Sequence, residues 1–432
     1  MLTRRQFSKS LLAGGTAALT APHLASAAAS SVTSPATPQT QRVQQDCDLL
    51  LKGGTVIDPG QRMHAVMDVA VKNGKILEVS QNIAENRAVR VISAKGRIVT
   101  PGLIDVHVHA FDGFGGMNAD HSCLGRGVTT VVDAGSAGYL TIGAFVKYIS
   151  TPSVTRVYPL VNIAALGLLV GGSNKKLGTD SSDGFMGAMD NPDWIYPEQT
   201  ARAAAQCKPT LVGVKARLES SVQGSRDKEC LKNALQVAEA IGLPMMAHID
   251  MPYSPLPEIL KMMRKGDVYT HIYNNHPHGI FDSDGKVSAE VREARQRGIF
   301  MDCAQGRTHF SWDTVEKALQ QDFLPDSIST DLTPVSTSER VFDLPTMVSK
   351  FLAMGMDLDK AIACVTINPS KMFNYGVQIG TLRPGYEADI AVFEMQEGKY
   401  EFVDSDGKTR PGKQLLVNKS VVCRGQLFMN EV

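Results

Sequence analysis

Neither sign of charge is in excess: 44 Lys+Arg stand against 44 Asp+Glu in 432 residues. Without a basic or acidic surplus there is no broad field to hold nucleic acid or an anionic membrane surface, and no Lys/Arg cluster supplies one locally. Phosphate-binding loops are missing too. "KGGTV" and "VGGSNKK" lack the G-x-x-x-x-G-K-[ST] and G-x-G-x-x-G spacings that cradle phosphates, so a nucleotide cofactor is not expected. The seven cysteines, Cys47, Cys123, Cys207, Cys230, Cys303, Cys364 and Cys423, form no C-x-x-C and no even framework. They read as free, mostly buried thiols. Behind the N-terminus no run reaches the ~20 apolar residues of a membrane span. "DAGSAG" around Ser136 lacks the G-x-S-x-G elbow, so a serine nucleophile is not expected.

What is present begins with a leader. "MLTRRQFSKS" is basic, "LLAGGTAALTA" is weakly apolar, and Ala25-Ser26-Ala27 suits a cleavage site. Residues 1–27 therefore read as a signal peptide, and Arg4-Arg5-Gln6-Phe7 resembles a twin-arginine export signal. That resemblance implies a periplasmic or secreted protein that folds before export, with reduced thiols. No membrane contact is expected after cleavage. Residues 28–45, rich in Ser, Thr, Pro and Gln, read as a flexible linker.

From Cys47 the chain reads as short strands, "DLLLKGGTVIDP", "VMDVAVKNGKILEVS" and "VRVISAKGRIVTPGLIDV", with a hairpin at Asn73-Gly74. The same style returns in "GTLRPGYEADIAVFE" and "KQLLVNKSVVCRGQLFM". One β-sandwich built from residues 46–100 and 380–432 is expected. The middle, residues 101–379, alternates continuous apolar runs with amphipathic stretches such as "KECLKNALQVAEAIG". That pattern predicts parallel strands covered by helices. Counting from "GLIDVHVH" there are eight candidate strands, ending with "DSISTDL". The fold class is α/β, a (β/α)8 TIM barrel with a small β-sandwich from both termini. The long irregular stretch 168–194 is expected to cover the site.

Barrel sites lie at the C-terminal ends of the strands. His107 and His109, at i and i+2 where "GLIDV" stops, point to one side. Taken alone they are a polar strand end as readily as half of a metal site. The later runs decide it: Lys215 lies in "LVGVKARL", His248 ends "PMMAHID", His271 ends "DVYTHIY" and Asp331 ends "SISTDL". A lysine among Val and Leu must find a partner or lose its charge. A neutral amine can take up carbon dioxide and become a carboxylate-like bridging ligand. We therefore expect two divalent ions, zinc by the nitrogen and oxygen donors. His107, His109 and Asp331 would hold one, His248 and His271 the other, with Lys215 as N6-carboxylysine between. Two ions about 3.5–4 Å apart lower the pKa of a shared water and polarise a carbonyl. Asp331 would take the proton of the bridging hydroxide and pass it to the leaving group. That is hydrolysis of an amide or ester.

"PGLIDVHVH", the strand-end Lys and His residues, and "STDL" resemble the amidohydrolase superfamily. "GVTTVVDAGSAG", "THIYNNHPHGIFDSDG", "PDSISTDL" and "TINPSKMF" are similar to its deacetylase or dihydroorotase-like subgroup. The resemblance implies a binuclear-zinc barrel acting on small acylated, above all acetylated, amino or hydroxy acids. A cyclic-amide hydrolase of the dihydroorotase or hydantoinase type, or a peptidase of N-acyl or D-amino acids, is the alternative. A non-catalytic ligand- or metal-binding barrel is the reading of a different class. The subgroup's Gly-His-Gly after the penultimate strand is here Ala304-Gln305-Gly306, and His276 and His278 are unusual, so the departures fall on the substrate side. Arg217, Asn274, Asn275 and His276 are substrate-contact candidates, and Asp105 and Asp133 candidates for orienting histidines. Homo-oligomerisation is left open.

Overall fold

The computed structural model describes residues 45–168 and 192–429. The expected leader, all but the last residue of the expected linker, and residues 169–191 of the stretch expected over the site lie outside the described residues.

Seven parallel strands stand side by side in chain order: Leu103–Val108, Val128–Asp133, Arg156–Asn162, Gly213–Leu218, Met245–Ile249, Val268–Thr270 and Phe300–Asp302. "LIDVHV" and "VTTVVD" are buried at every position, as strands covered on both faces must be. The eighth stave is the segment 327–332. It bridges the seventh strand through Asp302–Ser327 and the first through Val108–Leu332, both in parallel. Cys303 N donates to Ser327 O at 3.0 Å, and Asp331 N donates to His107 O at 2.7 Å, so the sheet closes on itself as a barrel.

Helices follow where the apolar spacing places them. Asp227–Ile241 buries Cys230, Leu231, Ala234, Val237, Ala238 and Ile241 on one stripe and ends at Gly242 with φ 65°. Leu344–Ala353 starts on an Asp343 cap, whose carboxylate accepts from Thr346 N.

The two ends of the chain build one eight-stranded sheet, from Cys47–Asp58 through Ile98–Pro101 to Ile390–Val403, Thr409–Cys423 and Gln426–Met429. Asn73 and Gly74 both take positive φ, 49° and 75°, as the expected tight hairpin requires. Leu49, Leu51, Val69, Val71, Val99, Ile390 and Val392 fill the core of this sheet, each worth about 1.5–3 kcal/mol on burial. All seven cysteines are buried and free.

The hairpin Ile390–Val403/Thr409–Cys423 reaches back to the barrel. At its tip Ser405 N donates to Phe310 O at 2.9 Å, and Trp312 Nε1 donates to Lys408 O at 2.9 Å. Beneath the tip Lys350 is fully buried. Its Nζ donates to Gln305 Oε1 at 2.7 Å, Arg340 O at 2.5 Å and Val403 O at 2.8 Å. Burial pushes this amine down to about 7 against the opposing pull of Cys303 and Asp404, and the three carbonyl oxygens match the three N–H bonds of an ammonium.

Candidate metal centre

The strands carry His107, Lys215 and His248, His109 and His271 each follow directly after a strand, and Asp331 lies in the eighth stave. His107, His109 and Asp331 offer donor atoms within 4.8 Å of one another. The Oδ1 of Asp331 lies 3.1 Å from His109 Nε2 and 3.5 Å from His107 Nε2. His248 and His271 form a second grouping, their rings 4.4 Å apart at centroid. Between the two stands Lys215, its Nζ 3.2 Å from His107 Nε2. The six residues expected to share metal thus line one buried space at the C-terminal end of the barrel.

Electrostatics there favour lone pairs over charge. Burial drives the His107, His248 and His271 imidazoles well below their ordinary value, so they stay neutral. Burial likewise pushes the Lys215 amine down to about 8. Burial alone would raise the Asp331 carboxyl, but His107, His109 and His309 hold it well below the usual carboxylate range.

The outer nitrogen of three of these rings is tied back. His107 Nδ1 is 2.9 Å from Thr270 Oγ1, which donates to Asp302 Oδ2 at 2.7 Å. His109 Nδ1 is 3.0 Å from Ser136 Oγ, which donates to Asp133 Oδ2 at 2.7 Å. Ser136 is therefore a link that turns a histidine. His271 Nδ1 donates to Ala304 O at 2.8 Å. Asp105 accepts from Thr330 Oγ1 at 2.6 Å and from His107 N at 3.3 Å, pinning the eighth stave to the first strand. Such outer partners fix the tautomer and aim of a ligating imidazole.

His248 Nε2 and His271 Nε2 are buried with no hydrogen-bond partner among the described residues. An unmet buried polar atom costs about 1–3 kcal/mol, and two neutral imidazole nitrogens beside an ionised Asp331 are what a divalent cation satisfies. No cysteine joins the groupings, which suits nitrogen- and oxygen-bound ions. His271 and Asp331 hold φ of 71° and 53°, left-handed values that for non-glycine residues cluster at functional sites.

The residues expected to touch substrate are engaged with protein. Arg217 Nη2 pairs with Glu219 Oε2 at 2.5 Å. Asn274 is buried and donates to His271 O at 2.8 Å, and Asn275 donates to Asp406 Oδ2 at 2.8 Å, on the hairpin tip. His276 Nδ1 lies 2.5 Å from Asp250 Oδ1. Sequence reasoning passed over His309, eight per cent exposed in the loop after the seventh strand, whose ring stacks on His271 with centroids 3.9 Å apart. It also passed over Asp250, two residues after His248 on the same side. The available signal was the loop's position after a barrel strand, where "RTHF" sets a histidine close to Gly306.

Comparison with known proteins agrees with this arrangement. The pattern of the amidohydrolase family matches residues 98–421. A deacetylase of Enterococcus faecalis is 30% identical over 391 residues, 89% of this chain and 100% of that protein. The crystal structure of an adenine deaminase superposes with a TM-score of 0.78 at 29% identity, covering 89% of this chain and 100% of that one. A dihydroorotase structure matches with a TM-score of 0.78 at 26% identity, over 88% and 97% of the two chains. With a closed barrel, donors at its strand ends and a family match over most of its length, the chain belongs to the amidohydrolase family and is a hydrolase.

Proposed function

We propose that the protein hydrolyses the amide or ester bond of a small acylated, first of all acetylated, amino or hydroxy acid, using two zinc ions and a carboxylated Lys215. The orphaned Nε2 atoms of His248 and His271, on two buried rings 4.4 Å apart at centroid, carry this reading. His107, His109 and Asp331 would hold one ion and His248 and His271 the other, with carboxylated Lys215 shared. When bound, the ions polarise the acyl carbonyl and lower the pKa of a water in the site.

The chain's own residues supply the remaining chemistry. Asp331, whose carboxyl sits well below the usual carboxylate range and so is ionised, accepts the proton of the attacking water. As the C–N or C–O bond breaks, the same carboxyl returns that proton to the leaving amine or alcohol. The products are a carboxylic acid and the freed amino or hydroxy acid. The Thr270–Asp302 and Ser136–Asp133 links keep His107 and His109 aimed inward. Phe114, Leu140, Tyr253 and Phe342 are exposed on loops that follow barrel strands and give that end of the barrel apolar surface.

The deacetylase relative supports acetyl transfer to water; the dihydroorotase structure favours a cyclic amide as second reading. We also propose export by the twin-arginine route to the periplasm, on the strength of Arg4-Arg5-Gln6-Phe7. The deciding experiment is a panel of N-acetyl amino acids, O-acetyl hydroxy acids and cyclic imides against zinc-loaded protein. Acetate release that chelator abolishes and zinc restores is expected. Turnover of cyclic imides ahead of every acetylated compound would replace the first reading with the second.

A further inference from the structure

His309 has the wiring of a metal ligand. The other three rings with a tied outer nitrogen, His107, His109 and His271, leave Nε2 facing the site. His309 reverses the arrangement: Nε2 meets Asp250 Oδ2 at 3.2 Å, and Nδ1 turns toward the site, 3.7 Å from Asp331 Oδ2. A carboxylate on the outer nitrogen is a common support for a ligating histidine. Asp250 is itself buried and fixed from its other oxygen by His276 Nδ1 at 2.5 Å, so the pair is braced from behind.

Position points the same way. The donor atoms of His248, His271 and His309 all lie within 4.8 Å of one another. The His309 ring is 3.9 Å from the His271 ring and 4.9 Å from that of His248, centroid to centroid. Gly306, at φ +53°, lets the loop approach this closely. A Cβ there would stand 2.3 Å from Asp331 Oδ2 and 3.2 Å from His309 Nδ1. The donor count is also uneven without His309: one ion would have three protein donors besides the Lys215 bridge, the other only two.

We propose that His309, oriented by Asp250, is a third histidine donor to the ion held by His248 and His271. This rests on the two-ion reading above and adds a ligand to it. The second ion then has as many protein donors as the first, and the loop bearing His309 becomes part of the centre that retains it.

The test is cobalt binding. Metal-free wild type, His309→Ala and Asp250→Asn are titrated with Co2+, followed by visible absorption and by metal content after gel filtration. Wild type is expected to take up two ions. His309→Ala should bind the second about 10–100-fold more weakly, with altered visible bands that added imidazole restores. Asp250→Asn should shift affinity in the same direction by less. His309→Asn, which keeps a small polar side chain, replaces the alanine variant if that one does not fold, with the same loss expected. Two ions bound by the His309 variant with wild-type affinity and bands would overturn the inference, a raised KM alone then marking His309 as a substrate contact. Wild type that binds no cobalt would remove the two-ion reading along with it, so the two failures are told apart.

Discussion

Lys215 Nζ lies 3.2 Å from His107 Nε2, with the thioether of Met246, at 3.7 Å, as its other neighbour within hydrogen-bond reach among the described residues. A charged ammonium does not suit that company, and burial pushes the amine down to about 8. The uncharged amine is the form that captures carbon dioxide. We predict that Lys215→Ala loses at least about 100-fold in kcat together with bound metal, and that short carboxylic acids restore part of both. Full activity without added acid would end the bridging role.

In the proposed mechanism Asp331 gains and then gives up a proton at one place. Asp331→Asn removes that capacity while leaving His107 and His109 in position, and kcat should fall by about 10²–10⁴-fold. Steady-state rates read beside metal content check this. A rate within about tenfold of wild type with metal retained would assign the proton transfer elsewhere.

The link from His107 through Thr270 to Asp302 is buried, and Asp302 accepts from Ser327 Oγ at 2.5 Å and Ser329 Oγ at 2.7 Å. Thr270→Val cuts it without changing side-chain volume much. Metal affinity should weaken by about 10–100-fold, with little change in fold by circular dichroism. Ser136→Ala should act alike on His109 and leave a measurable rate, whereas a serine nucleophile would leave none.

Lys350→Met removes a donor from Gln305 Oε1, Arg340 O and Val403 O, leaving the last two only the long bonds from Gln305 Nε2 at 3.4 and 3.5 Å. At about 1–3 kcal/mol for each unmet buried group, the unfolding midpoint in urea should drop clearly. Loss of under about 1 kcal/mol would show that water replaces the amine.

The strand-end residues were legible because a strand's period of two is rigid: once "GLIDVHVH" is a strand, His107 and His109 share a side. Lys215 stood out because its neighbours are apolar. The barrel followed from repeated strand and helix patterns. His309 was not legible in this way. It belongs to a loop, where no period fixes a side chain's direction, and its role depends on Asp250, 59 positions earlier by sequence number. Arg217 is a different case: its spacing from Lys215 fits a clamp or a salt bridge equally, and its guanidinium pairs with Glu219 two residues on. The docking of residues 404–408 on Phe310 and Trp312 joins distant parts of the chain through backbone groups and the Trp312 indole, which composition does not reveal.

The last stave of the barrel is short, and its hold on the first strand runs through Asp331 N to His107 O and His109 N to Leu332 O. The residues that shut the cylinder are therefore among those proposed to hold the first ion. A partly folded chain with this stave undocked would present His107 and His109 without their carboxylate. Tight ion uptake would then follow the seam's closing, and an ion once bound would act as a rivet across it.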